Sequence, residues 1–234
     1  MRKAGLIAAS VLREGVKLVE PGLKTEVLDR AIGSIIRRHG ATSAFFRYRD
    51  FPGQCCISVN EAVIHGIGNE RRLMFGDLVK LDVGVRVDGF IGDVAMTVAV
   101  GGCSVEAQKL MDVTVQALYK GISFARPGNR VNDIGRAIQG VVESEGYGVV
   151  REFCGHGVGR SLHEEPQIPN YVDPERGQVR LKPGMTLAIE PITGLGLENT
   201  RELPDGWTIE AVDGQLAAHF EHTILLTQIG RAHV

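Results

Sequence analysis

The chain has 234 residues, 44% of them hydrophobic, which is enough to bury the core of one large domain and excludes a disordered chain. Lysine and arginine total 26 against 28 acidic residues, so the formal net charge of −2 excludes nucleic-acid binding through a strongly basic surface. The four cysteines show no C-x-x-C spacing, which argues against a disulfide framework or a structural zinc site and fits a reducing cytoplasm.

The first predicted elements are two amphipathic helices, and the sequence repeats them. Residues 8–40 align without a gap on residues 114–146, and each copy has a Pro-Gly pair at the same relative position. Each copy therefore predicts a helix, a break and a second helix. No apolar run approaches the length of a membrane span, so no membrane segment is predicted.

A looser repeat follows each helix pair and ends in an acidic residue. Gly76–Asp82 is similar to Gly184–Glu190, and both read as an apolar strand after a glycine. The duplication predicts an α+β fold with two pseudo-symmetric halves, residues 1–105 and 106–234, within one domain of residues 1–234. Their antiparallel sheets are expected to join, with the helices on the outer face.

Residues 81–94 predict a β-hairpin, because an Asp-Gly pair between alternating apolar residues favours a two-residue turn. This turn sets a register that places Gly84 opposite Asp93, with Asp82 as a diagonal neighbour on the same face. The two carboxylates suit a metal ion or acid–base chemistry, or else form the solvated face of a surface hairpin.

Three histidines stand near glycines or strand ends. His65 follows a short apolar segment before the hairpin and reads, on its own, as an ordinary partly buried histidine. His156 lies between glycines in a run that lacks the lysine of a phosphate-binding loop. The spacing from His156 to His163 does not suit a zinc-binding helix.

Four acids at strand positions and one histidine form the candidate site: Asp82, Asp93, Glu190, Glu221 and His156. Four converging carboxylates cannot all stay ionised without cations. One imidazole with mainly oxygen ligands suits two divalent first-row ions, and Mn, Fe, Co and Zn are all admissible. Paired ions lower the pKa of a bridging water, so hydrolysis of a peptide or ester is the predicted chemistry. His65 and His163 would be free to bind the substrate or the developing oxyanion.

Eight motifs stand in an order and spacing that is highly specific when taken together. They are Cys56–Glu61, Ile64–Gly66, the pair Asp82 and Asp93, Cys154–Gly159, Leu162–Pro166, Ile189–Pro191, Asp205–Thr208 and Glu221–Thr223. With these motifs the chain resembles, over essentially its whole length, the type I methionine aminopeptidases of the pita-bread fold. That fold surrounds a dinuclear metal centre with two pseudo-symmetric halves.

The resemblance implies a role for each candidate residue. Five metal ligands are implied for two divalent ions (Co, Mn, Fe, Zn or Ni): Asp82, Asp93, His156, Glu190 and Glu221. Asp93 and Glu221 would bridge both ions, and Glu190 would be the general base. His65 and His163 would take part in catalysis and bind the substrate backbone. The implied substrate pocket consists of Tyr48, Phe51, Cys56, Leu162 and Trp207.

The same resemblance implies a function and partners. The expected activity is removal of the initiator methionine from nascent polypeptides whose second residue is small. The expected setting is the cytoplasm, with the ribosome as a further partner, no direct nucleic-acid or membrane partner, and a monomeric chain.

Three positions depart from the common pattern of relatives. Asp50 stands where relatives often have glycine, Arg49 where a histidine is sometimes found, and Leu162 where an aromatic residue is common. These departures put the shape of the pocket in question.

The competing readings are an Xaa-Pro aminopeptidase or prolidase, which shares the five ligands, and a non-catalytic binding module, which typically lacks some of them.

Overall fold

The computed structural model describes residues 1–196 and 199–233. The α-helices of this part of the chain are α1 (Arg2–Val16), α2 (Thr25–Arg38), α3 (Val105–Phe124) and α4 (Val131–Ser144). Its strands are β1 (Thr42–Ser43), β2 (Cys56–Val59), β3 (Ala62–Ile64), β4 (Leu78–Val87), β5 (Phe90–Ala99), β6 (Gly148–Val149), β7 (Gly155–Gly157), β8 (Glu164–Ile168), β9 (Thr186–Ile189), β10 (Ile192–Gly194), β11 (Thr200–Glu202), β12 (Ile209–Ala211), β13 (Ala217–His219), β14 (Glu221–Thr227) and β15 (Gly230–His233). Among the helices described, none has the length and apolarity needed to cross a membrane.

One large antiparallel sheet holds the molecule together. Within the described ranges it has nine strands, with β1, β4, β5, β14, β9, β7 and β8 in spatial order, β2 on β4 and β15 on β14. The pairing of β5 with β14 joins the strands that follow the first helix pair to those that follow the second. Two smaller sheets, β13-β10-β6 and β11-β12-β3, complete the strand pairing.

The two helix pairs make matching backbone contacts. The Gly22 N–H donates to the Leu73 carbonyl at 2.7 Å, and the Gly128 N–H donates to the Leu181 carbonyl at 3.0 Å. Both glycines have positive φ angles, 87° and 92°, which glycine adopts without a steric penalty. The Pro-Gly pairs of the sequence repeat therefore make equivalent turns at equivalent places.

The core lies between the sheet and the helices. One buried cluster packs α1 and α2 against β4 and β5, and a second packs α3 and α4 against β9 and β14. Because strand side chains alternate, Leu81 and Val83 point to the helices and are fully buried. Asp82 and Gly84 therefore project from the opposite face of β4, away from the helical layer.

Candidate metal centre

The hairpin has the predicted register. Its turn residues have positive φ, 51° at Asp88 and 77° at Gly89, as a two-residue hairpin turn requires. Gly84 is the register partner of Asp93, and the pairing continues without a shift along β4 and β5. Asp82 and Asp93 both line a single cavity, so the alternative of a solvated surface hairpin is wrong.

The other three candidate residues reach the same cavity from the second half of the sheet. Glu221 begins β14, which is paired with β5, and His156 lies in β7, which is paired with β9. Glu190 comes directly after β9, and its Oε1 lies 3.4 Å from Nε2 of His156. The same Nε2 atom is 3.9 Å from Oδ2 of Asp93. All five predicted ligands thus line one cavity.

Three of these residues form the tightest group. Asp93, His156 and Glu221 each offer one ligand atom, and these three atoms lie within 4.8 Å of one another. All three residues are buried. Asp82 and Glu190 flank this group. Three side-chain oxygens of the cluster are shielded from solvent and have no hydrogen-bond partner among the described residues: Asp82 Oδ1, Asp93 Oδ1 and Glu221 Oε1. Orphaned carboxylate oxygens of this kind fit a divalent cation, which would satisfy them.

Burial and mutual repulsion raise the pKa of the acids. Burial raises the pKa of Asp93 to about 7. Burial, and after it the neighbouring carboxylates, raise the pKa values of Asp82, Glu190 and Glu221 well above the ordinary range. Burial lowers the pKa of His156 to about 4, so the imidazole is neutral and able to ligate. Divalent cations would remove the cost of ionising this cluster.

Two further histidines border the cluster. The hydroxyl of Tyr48 is 2.9 Å from Nδ1 of His163, and the ring of His163 meets that of His156 edge-on at 4.4 Å between centroids. His65 packs edge-on against Phe153, with ring centroids 5.5 Å apart. Burial lowers the pKa of His65 to about 4 and also lowers that of His163. Both imidazoles are therefore neutral hydrogen-bonding groups at pH 7.

Much of the remaining cavity wall is apolar. All five side chains predicted for the substrate pocket line it: Tyr48, Phe51, Cys56, Leu162 and Trp207. Phe51 and Trp207 pack edge to face with centroids 5.0 Å apart. Cys56 is the register partner of Asp82, which places its sulfur beside the acidic cluster. Aromatic surface and a polarisable sulfur suit a thioether side chain.

The Tyr48–Asp50 turn explains one departure from the common pattern. Asp50 has a φ of 69°, a left-handed conformation that aspartate tolerates better than most residues. Asp50 therefore keeps the backbone that a glycine would supply. Arg49 also has a positive φ, 49°, and lines the cavity with its side chain.

Two residues of the site were not predicted from the sequence. Phe45 lines the cavity, and its ring fills the space beside Gly84, where a Cβ would meet Phe45 Cε1 at 2.4 Å. His219 is buried, and its Nε2 lies 3.6 Å from Oε2 of Glu190. His219 lies two residues before Glu221. Because residues two apart in an extended segment share a face, this spacing could have identified His219 as a neighbour of the site.

Comparison with known proteins gives consistent matches over the whole chain. Residues 1–228 match the model of metallopeptidase family M24. The chain is 47% identical over 230 residues to methionine aminopeptidase 1 of Bacillus subtilis, an alignment covering 98% of this chain and 92% of that protein. A solved methionine aminopeptidase from Thermotoga maritima superposes with a TM-score of 0.96 at 42% identity, covering 100% of this chain and 94% of the other.

A more distant match concerns the fold alone. Prolidase from Pyrococcus furiosus superposes with a TM-score of 0.81 at 22% identity, and the alignment covers 99% of this chain but 61% of the prolidase. Together with the closer structures, it confirms the predicted pita-bread fold.

Proposed function

The chain belongs to metallopeptidase family M24, and from that premise we propose that it is a metal-dependent aminopeptidase that removes methionine from the N-terminus of peptides. The observation that carries the proposal is the buried group of Asp93, His156 and Glu221 beside an apolar cavity wall. Nascent polypeptide N-termini are the substrates, and the second residue of the substrate is small.

The proposed ligands are the five residues at the cavity floor: Asp82, Asp93, His156, Glu190 and Glu221. They would hold two divalent ions. Co, Mn, Fe, Zn and Ni all suit a set of four carboxylates and one imidazole. When bound, such ions would supply an activated water and polarise the scissile carbonyl.

The protein groups around the cluster would move protons and hold the substrate. Glu190 is the proposed general base, as the resemblance implies, and its Oε1 lies 3.4 Å from Nε2 of His156. His163 and His65 would donate hydrogen bonds to the peptide backbone and to the developing oxyanion. Tyr48 would fix the ring of His163 through the hydrogen bond to Nδ1.

The apolar wall would bind the methionine side chain. Phe51 and Trp207 would enclose it, with Cys56 and Leu162 completing the pocket. Leu162 is 4% exposed and belongs to the same buried cluster as Phe51, so it fills the wall although it is not aromatic.

The wider setting follows from the substrate. We propose that residues 1–234 act as one catalytic domain, as a monomer in the cytoplasm, where nascent chains emerge from the ribosome. Recognition of the free N-terminus requires no nucleic-acid contact by the enzyme itself.

A peptide panel tests the proposed function. The metal-free protein would be reconstituted with limiting Co, Mn, Fe, Zn or Ni and incubated with Met-Ala-Ser, Met-Leu-Ser and Ala-Pro. Release of methionine from Met-Ala-Ser, with little cleavage of the other two, is expected. Preferential cleavage of Ala-Pro would instead indicate prolidase-type substrates. If none of the peptides is cleaved with any of the metals, a non-catalytic binding module would be favoured.

A further inference from the structure

Lys80 is a buried lysine on the strand that carries Asp82. Its exposed fraction is 1%, and it is the largest fully buried side chain in the described part of the molecule. Removing an ammonium group from water is costly unless new hydrogen bonds or an opposite charge replace its lost hydration. A residue of this kind therefore needs compensating contacts.

Those contacts are backbone carbonyls. The Lys80 Nζ donates to the carbonyl of Asn60 at 2.6 Å and to that of Ala217 at 3.1 Å. The Ala217 N–H donates to the same Asn60 carbonyl at 3.2 Å. Burial lowers the pKa of Lys80 to about 7, and the carboxylates of Glu61 and Asp77 oppose that shift. Carbonyl oxygens that converge on a monovalent cation can replace the water molecules of its hydration shell.

The two carbonyls belong to segments that lead into the site. Asn60 begins the turn before β3, and β3 ends at the residue before His65. Ala217 begins β13, which leads to Glu221 at the start of β14. Lys80 thus connects the segment of a proposed substrate-binding histidine to the segment of a proposed metal ligand.

The facing strand of the hairpin holds the other end of β13. Thr97 is the register partner of Lys80. Its hydroxyl donates to the His219 carbonyl at 2.8 Å and accepts from the His219 N–H at 2.8 Å. The strand β13 is therefore attached to the hairpin at both ends, by an ammonium group at Ala217 and by a hydroxyl at His219.

We propose that Lys80 is a positioning residue whose ammonium group acts as an internal cation, holding the His65 and Glu221 segments at the spacing that turnover requires. The proposal rests on the proposed function for its kinetic part. Lys80 touches neither substrate nor ligand atoms; it acts through the backbone of Asn60 and Ala217.

The test compares Lys80→Ala and Lys80→Met with Lys182→Met, which removes an exposed lysine from the loop before β9. Turnover of Met-Ala-Ser, bound metal per chain and the thermal midpoint would be measured with and without ammonium chloride. Tetramethylammonium chloride, whose ion is too large for the site, controls for ionic strength.

We expect both Lys80 variants to bind metal like the wild type and to lose at least tenfold in kcat, with a smaller change in KM. Ammonium should restore Lys80→Ala at least fivefold in kcat and raise its thermal midpoint, because it can occupy the vacated position. It should not rescue Lys80→Met, whose thioether fills that space, and Lys182→Met should match the wild type.

The outcomes separate this proposal from the proposed function. A wild-type protein that releases no methionine would refute the proposed function, while the effect of ammonium on the midpoint of Lys80→Ala would still test the cation site. A Lys80→Ala variant that folds only in ammonium would support the proposal. It is overturned if Lys80→Met keeps at least half of the wild-type kcat, or if ammonium changes neither the activity nor the midpoint of Lys80→Ala.

Discussion

Asp82 and Glu221 are both register partners of Ala95, one on each neighbouring strand. Directly opposed residues in a sheet project to the same face, so a small alanine side chain separates two carboxylates that point the same way. Two strand spacings put their Cα atoms about 9–10 Å apart. Carboxylates at that spacing can reach toward a common centre.

Asp93→Ala tests whether the acid at the centre of the cluster is required. We expect at least a thousandfold loss of Met-Ala-Ser cleavage and a loss of bound metal, because the variant removes a proposed metal ligand. The fold should persist, since the backbone N–H of Asp93 keeps its bond to Thr223. Peptide assays, metal analysis and circular dichroism would measure these effects.

Asp88→Asn is the control on the same hairpin, because asparagine tolerates the positive φ of the turn. The Asp88 carboxylate is exposed and pairs with Lys3 at 2.8 Å at the turn. Its removal should leave metal content and turnover unchanged. A fully active Asp93→Ala enzyme would refute the proposed metal site.

Metal binding should release more protons at pH 6 than at pH 8. Burial raises the pKa of Asp93 to about 7, so its metal-free carboxyl is mostly protonated at pH 6 and mostly ionised at pH 8. His156, with a pKa lowered to about 4, is neutral at both values and contributes no proton. Asp93 by itself should contribute close to one proton to this difference, and metal affinity should rise with pH.

Calorimetric titration in buffers of different ionisation enthalpy would count those protons. Equal proton release at pH 6 and pH 8 from the wild type would contradict the protonated state of Asp93.

Tyr48→Phe should lower kcat by about two- to tenfold, which corresponds to the 0.5–1.5 kcal/mol of a typical hydrogen bond. The variant removes the bond between the hydroxyl and His163 Nδ1 and keeps the ring in the pocket wall. Tyr119→Phe, on the exposed face of α3, is the control. Steady-state kinetics that show equal kcat for Tyr48→Phe and wild type would exclude a role for this bond.

Gly66→Ala should destabilise the fold by about 1–3 kcal/mol, the usual cost of overpacking. A Cβ at Gly66 would lie 2.3 Å from the Ile57 carbonyl oxygen, a backbone atom that cannot turn aside. Gly140→Ala, in the exposed interior of α4 with nothing near its Cβ, should stabilise the protein by about 0.5–1 kcal/mol. Chemical denaturation of both variants would show whether the signs differ as expected.

Much of the candidate site could be predicted from local sequence patterns. The hairpin register depends on the Asp-Gly turn and on strand alternation, both of which are set by neighbouring residues, and it was predicted residue by residue. The candidate ligands were four acids at strand positions and a histidine between glycines, and the resemblance over the whole chain implied the same five. Each of them lines the cavity.

Other features depend on pairings between distant segments. Lys80 is buried because Ala217 supplies a carbonyl from far along the chain, and no local pattern indicates that partner. His219 and Glu221 are two residues apart, but the chain changes sheets at Phe220, so β13 and β14 pair with different neighbours. Strand order cannot be read from periodicity, which is a property of each strand alone.

The order in which the site can assemble follows from the pairing of β14 with β5. The first carboxylates come from a hairpin that can form early, because its contacts are local. Glu221 reaches the site only after β14 has paired with β5. That pairing closes a long loop of the chain and therefore has a larger entropic cost. Synthesis of this chain should therefore pass through a stage in which the hairpin is folded but cannot hold its metal, and acquisition of metal would report completion of the sheet.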